Sequence, residues 1–343
     1  MNNFFVQKVK DIRKSIKFRP WTPTTCEKIM HKKNCRLDLQ FISIQKVRNI
    51  LKNLSSSKCP AIDGLNNYAL KLSADIIAHP VHHIITLSLM QEKFPEAWTL
   101  AKVIPLHKKE DMLIPKNYRP VSILSPLSKV LEKAVYEQLY AYMSRNNILH
   151  PSLHGYRKDR STLTALLQIY DKWVRAASMG QISGSVLLDL SAAFDLVSPE
   201  ILDQKLKIYG LSSSFQEWVK SYMTNRHQAV WIDHTFSAYL PCEIGVPQGS
   251  ILGPLLFLIF VNDMSYSLSC ETEQYADDTT LSCTNESAPE ISANLTLNCQ
   301  NVDVWMSENQ LKLNADKTHI MSIGTNYRLR NPANNLNVSM DGT

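Results

Sequence analysis

With 343 residues, 44% of them apolar and 20% charged, the chain has the balance of a globular protein large enough to bury an extensive core, which excludes disordered and fibrous classes. The formal net charge of +6 is unevenly placed: residues 1–58 hold 14 Lys/Arg against 3 Asp/Glu, a net of +11, so the remainder sums to −5. Seven scattered cysteines with no Cys-x-x-Cys pair exclude a disulfide scaffold and point to reduced thiols in an intracellular protein, nucleus or cytoplasm undecided.

The leading segment reads as a basic arm. Lys8-Val9-Lys10-Asp11-Ile12-Arg13-Lys14 and His31-Lys32-Lys33 suit phosphate backbones, and the first also fits a solvated amphipathic helix. Cys26, His31 and Cys35 lie close together, yet no fourth zinc ligand follows at finger spacing. A Ser-, Pro- and Gly-bearing loop over 55–64 marks a boundary, giving a basic segment at 1–58 and a main domain at 59–343. Residues 68–89 form an apolar helical stretch whose His79, His82 and His83 read as helix-face residues, since no acid or cysteine joins them at useful spacing. Residues 100–109 read as a strand ending in Lys108 and Lys109, and 117–124 as a second, Pro120 keeping Arg119 out of helix.

Ser125 caps a helix with Pro126 at its first position, running toward Met143 with an apolar stripe. His154-Gly155-Tyr156-Arg157-Lys158-Asp159-Arg160-Ser161-Thr162 is a basic loop before a helix to about Ala177, a phosphate cradle or a solvated turn. Residues 184–189 form a short buried strand that delivers Asp189 at its end, and 190–196 a turn carrying Phe194. Ser198 and Pro199 start a helix that Gly210 ends, a further helix spans about 214–223, and 228–232 with 239–244 suggest a hairpin. Residues 245–254 hold three glycines and two prolines around Gln248, a loop able to approach another molecule closely, followed by an apolar helix at 255–264. The most apolar run, 251–261, is too short for a bilayer and contains Gly253-Pro254, and no signal peptide opens the chain, so no membrane partner is expected. Tyr275-Ala276-Asp277-Asp278 sits between short strands as a type I or I′ turn, a polar helix covers 288–309, and 311–321 alternates into a strand.

Adjacent ionised carboxylates repel, and a chain that sets them beside apolar strands needs a counter-charge. Asp189, Asp277 and Asp278, with cations nearby and no His or Cys set, form an all-oxygen group suited to Mg²⁺ or Mn²⁺. Two such ions suit in-line phosphoryl transfer.

Four motifs in this order resemble the reverse transcriptases of non-LTR, LINE-class retrotransposons, in the style of the jockey-like group. They are Asn117-Tyr118-Arg119-Pro120-Val121-Ser122, Leu188-Asp189-Leu190-Ser191-Ala192-Ala193-Phe194-Asp195, Gly245-Val246-Pro247-Gln248-Gly249-Ser250 and Tyr275-Ala276-Asp277-Asp278, and the likeness covers roughly 55–325. The resemblance implies an α+β right-hand polymerase with fingers and a ferredoxin-like palm, and RNA-directed DNA synthesis from a primer 3′-hydroxyl. Its partners would be an RNA template, a DNA or RNA primer and dNTPs. By carry-over, Asp189, Asp277 and Asp278 would hold two Mg²⁺ or Mn²⁺ ions, with Asp277 the shared ligand and Asp278 the more forgiving neighbour. Phe194 would exclude a 2′-hydroxyl, Gln248 and Gly249 would line the nucleotide and template pocket, and Arg119 with Lys108 (or Lys102) would meet the triphosphate. Lys317 would assist pyrophosphate departure. Elements of this class usually carry an endonuclease ahead of the polymerase, where only a short basic segment stands here, and the little chain after Lys317 leads to the expectation of a truncated or missing thumb. They also keep open an inactive, fragmentary transposon-derived nucleic-acid binder.

Overall fold

The computed structural model describes residues 1–30, 35–57, 59–108 and 110–339. His31-Lys32-Lys33, Lys58 and Lys109 lie outside them. Among the described residues nine strands follow in chain order: β1 (Leu100–His107), β2 (Tyr118–Ile123), β3 (Ile182–Leu188), β4 (Arg226–Ile232), β5 (Thr235–Phe236), β6 (Leu240–Cys242), β7 (Glu271–Tyr275), β8 (Asp278–Asn285) and β9 (His319–Ile323). They divide between two compact units, formed by the described residues of Met1–Lys14, Lys32–Ile148 and Phe194–Phe257, and of Ser15–His31, Leu149–Ala193 and Leu258–Thr343.

In the first unit β2 lies antiparallel to β1, β1 parallel to β4, and β4 is flanked by β5 and β6. The basic N-terminal cluster forms the helix Asn2–Lys14, which seats Phe5 against Val103 and Val230. Asn2 anchors its start, donating to the carbonyls of Gln228 (3.1 Å) and Ala238 (2.9 Å). Ser125 caps the helix Pro126–Arg145, whose Val130, Leu131, Ala134, Val135 and Leu139 are buried at helical spacing. The expected single helix at 68–89 is two, Asn67–Leu72 and Ala74–Met90, because Ser73 turns its hydroxyl back onto the Ala69 carbonyl (2.8 Å). In the second of these His82 bonds the Ile42 carbonyl at 2.9 Å, a packing role.

In the second unit the sheet order is β7-β8-β3-β9, antiparallel throughout. Ser183 and Ser185 on β3 bond Thr284 and Ser282 on β8 across one face. On the other, a Cβ at Gly184 would meet Ile291 and Leu295 within 3 Å, so the glycine lets the helix Ala288–Glu308 lie close on the sheet. The strand expected over 311–321 begins only at His319. The residues before it run beside the end of β3, where Leu190 pairs with Leu313 and the Asn314 N–H donates to the Asp189 carbonyl (2.8 Å). Cys26 donates to Asp263 (3.2 Å) and Cys35 accepts from the Tyr142 hydroxyl (3.2 Å), so each thiol already has a protein partner. Among the described residues no helix is long and apolar enough to cross a membrane.

Candidate active site

The acids gather at one end of the four-stranded sheet. β3 is a buried apolar strand, and Asp189 follows its last residue. Antiparallel pairing places Leu188 opposite Thr279, so the same register carried one step further sets Asp189 across from Asp278. Asp277 occupies the turn between β7 and β8, which Tyr275 and Asp278 close as a pair. Ala276 has φ of +58° while Asp277 does not have positive φ. That pattern fits neither type I, which needs no positive φ, nor I′, which needs two, and matches II′. Alanine in that left-handed position is unfavourable by roughly 1–2 kcal/mol.

Charge at the three acids is only partly neutralised. Burial raises the proton affinity of the Asp278 carboxyl above the usual range, the charges of Asp277 and Asp189 raise it further, and Lys317 opposes them. Asp189 is held by two neighbours: Asn314 donates its side-chain amide to Oδ2 at 2.8 Å, and Lys317 Nζ stands 3.3 Å from Oδ2 and 3.4 Å from Oδ1. Among the described residues, no three His, Cys, Asp or Glu side chains close into a ready-made metal cage. The donor chemistry nevertheless fits a hard divalent cation, since three carboxyl groups press their charges on one another with one lysine, itself mostly exposed, against them.

The first unit holds the other residues singled out in the sequence. Phe194 stacks on Phe257, ring centroids 4.2 Å apart. The Gly245 loop runs along this segment, with Gly245 N–H donating to Val197 O and Val246 N–H to Phe194 O, both at 2.9 Å. That contact delivers Gln248, whose amide donates to Asp195 at 2.6 Å. Burial pushes the Asp195 carboxyl above its usual range, while the Gln248 bond and the charges of Lys8 and Arg119 pull it down. Both residues line a cavity of about 450 Å³ with Phe5, Pro120, Ser122 and Arg226. Gly249 has φ of +83°, and a Cβ there would stand 2.5 Å from the Ser122 carbonyl, so this glycine lets the loop lie against β2. Arg119 is exposed on β2, and exposed Lys108 extends the ladder through its N–H to the Asn117 carbonyl (2.9 Å). Lys102 is buried, its ammonium 3.9 Å from the Trp231 ring centroid.

The family profile described as "Reverse transcriptase (RNA-dependent DNA polymerase)" matches residues 106–338, more than half of the chain. The chain belongs to the reverse transcriptase family. It is 30% identical over 301 residues to the probable RNA-directed DNA polymerase from transposon BS of Drosophila melanogaster, covering 82% of this chain and 32% of that protein. To the RNA-directed DNA polymerase from mobile element jockey of the same species it is 26% identical over 291 residues, with the same coverage. A probable RNA-directed DNA polymerase from the X-element is 29% identical over 226 residues, 64% of this chain and 24% of the relative. These relatives place the chain with the LINE-class, jockey-like group, and the chain spans about a third of the length of the first two and about a quarter of the third.

Two residues of this reverse transcriptase chain escaped the sequence reading. Asn314 lies three positions before Lys317 and binds the same aspartate, a role its neighbours in sequence give no sign of. Glu132, on the helix with the apolar stripe, is fully buried and accepts the backbone N–H groups of Ile251 (2.7 Å) and Leu252 (3.2 Å), tying down the chain just after Gln248. A glutamate inside an apolar helical stripe was the available signal.

Proposed function

We propose that this chain is an RNA-directed DNA polymerase that extends a primer 3′-hydroxyl with dNTPs. The observation that carries this reading is the convergence of Asp189, Asp277 and Asp278 at one sheet end, with Lys317 and Asn314 on Asp189, in a chain of the reverse transcriptase family. Within residues 59–343, proposed as the polymerase domain, the part in the second unit is read as the palm and the part in the first as the fingers. Asp189 and Asp277 would hold two Mg²⁺ or Mn²⁺ ions and Asp278 would stand beside them. Such ions, when bound, supply activation of the primer hydroxyl and neutralisation of the leaving pyrophosphate.

The protein's own part is positioning. Asn314 fixes the Asp189 carboxylate through one oxygen, and Lys317 holds positive charge beside it, where it would neutralise departing phosphate. The Phe194 ring, stiffened by Phe257, would set the clearance beneath the nucleotide sugar and reject a 2′-hydroxyl. Gln248, oriented by Asp195, would face the base pair, and Arg119 with Lys108 would approach the triphosphate from the exposed hairpin.

Primer extension on an RNA template with Mg²⁺ and dNTPs, comparing wild type with Asp277→Asn, tests the reading. Extension by the wild type alone is expected, and equal signal from both would sink it. Salt-sensitive nucleic-acid binding without any extension would establish instead the inactive binder.

A further inference from the structure

The basic loop before the helix Thr162–Ser178 is not spread toward a ligand. Arg157 donates Nη1 to the carbonyls of His150 (2.8 Å) and Leu153 (3.1 Å), and Arg160 donates to the Pro151 carbonyl (2.5 Å), so both guanidinium groups fold the preceding turn onto itself. That turn in turn grips the hairpin bearing the acids. Leu153 bridges to Gln274 in parallel register, the Gln274 N–H donates to Ser152 O at 2.9 Å, and the His154 N–H donates to Gln274 O at 2.8 Å. Residues 152–154 thus act as one more strand along the outer edge of β7.

Two features go beyond edge pairing. The His154 side chain, 1% exposed, sets Nε2 2.8 Å from Glu273 Oε2, and Glu273 Oε1 takes Lys172 Nζ at 3.0 Å. Lys172 also reaches Glu271 at 3.1 Å, so β7 is tied to the helix Thr162–Ser178 at two successive outward positions. Gly155 then presses on the turn itself: a Cβ there would lie 2.5 Å from the Ala276 nitrogen and 3.2 Å from its Cα. Only the missing side chain permits this approach. Ala276 is the residue in the left-handed conformation, which persists in a residue with a Cβ only where surrounding structure over-determines it.

We infer that the His154-Gly155 strut, locked through Glu273 and Lys172, is a positioning element that fixes the Ala276 turn and thereby the carboxyl groups of Asp277 and Asp278. The inference rests on reading those carboxyls as the polymerase's metal-binding set. None of the strut residues touches the reacting atoms. They act from behind the hairpin, through its backbone, so their loss should appear in metal use and turnover before nucleotide affinity.

The test uses the full chain carrying Gly155→Ala, with Lys172→Met and Lys172→Arg as a second series. Gly155→Ala should lower kcat for primer extension at least tenfold and raise the Mg²⁺ concentration for half-maximal rate, with KM for dNTP within about twofold of wild type, because the nucleotide contacts are made elsewhere. Lys172→Met should follow in the same direction and Lys172→Arg should restore the wild-type values, a rescue that general loss of packing does not produce. Hydrogen exchange at the amides of residues 274–279 and binding of Tb³⁺ as a metal probe read the same claim without activity. Faster exchange and weaker Tb³⁺ binding in both disruptive variants are expected. Unchanged exchange, Tb³⁺ binding and Mg²⁺ dependence would overturn the strut. A wild type that never extends a primer would overturn the polymerase reading instead, and the exchange and Tb³⁺ measurements would still decide the strut. If Gly155→Ala fails to fold, the Lys172 pair decides.

Discussion

Replacing Asp278 with asparagine should make the metal-free protein more stable while blunting its response to Mg²⁺. Asp278 binds its proton more tightly than an ordinary carboxyl because of burial first, then the charges of Asp277 and Asp189, with Lys317 only partly opposing them. Its folded pKa lies above the usual 3.8, so folding disfavours the ionised form. The penalty is absent below the unfolded value, grows as pH rises through the folded value, and is fully present at pH 7. Two unit charges 4 Å apart repel by about 1 kcal/mol in water, and exposure of the site discounts this to about 0.5–1 kcal/mol. A gain of that size corresponds to roughly 0.7–1.4 °C in Tm for a chain of this length. Thermal melts in a chelator at pH 7 should therefore place Asp278→Asn above wild type, with the difference closing near pH 4. A divalent ion at ten times its Kd adds about 1.4 kcal/mol, so Mg²⁺ should bring the wild type level with the variant or past it. A lower melting point for the variant in chelator, or an equal Mg²⁺ increment in both proteins, would show that the carboxyl groups are not held in mutual repulsion for a cation.

Three further outcomes follow from the first unit. Glu132→Ala should lower stability by about 2–4 kcal/mol in denaturant melts, since it strands the buried N–H groups of Ile251 and Leu252 and the Ser128 hydroxyl that donates to Glu132 at 2.7 Å. Gly249→Ala should cost about 1–2 kcal/mol for its left-handed backbone and raise KM for dNTP as the loop backs away from Ser122, both readable from melts and steady-state extension. Phe194→Val should lose about 1–2 kcal/mol of ring packing against Phe257 and raise rNTP use relative to dNTP use in competition assays, and an unchanged ratio would remove Phe194 from the sugar pocket.

Local rules read well along this chain. The Ser125-Pro126 start, the Ser198-Pro199 start, the β3 strand and the β7–β8 hairpin all stand where their residues indicate, because caps, prolines and alternation act over a few residues. The Asp-Asp hairpin was legible for the same reason, and its turn type was not: the sequence offers no glycine at 276, and only tertiary contact explains a left-handed alanine there. What stayed hidden came from residues distant in the chain. The bond between Glu132 and Ile251 spans 119 positions, and that between His154 and Glu273 spans the same number. Charge alone leaves the basic loop open between a phosphate cradle and a solvated turn, because it does not say whether a guanidinium will meet a ligand or a carbonyl; Arg157 and Arg160 meet carbonyls of the preceding turn.

The second unit combines two unfavourable features in four residues, a left-handed alanine and a set of mutually repelling acids. Either alone would favour a relaxed turn with its side chains splayed into water. Edge pairing with residues 152–154 on one side and β3 on the other removes that freedom, since a turn held by hydrogen bonds on both flanks cannot relax without breaking them. Holding charges together before a cation arrives transfers the cost of arrangement from the binding event to folding, which is what preorganised catalysis requires. The stability lost at Asp278 and the rigidity supplied from Gly155 are therefore two sides of one design, and a variant that loosens the strut should lose affinity for the ion along with the rigidity of the turn.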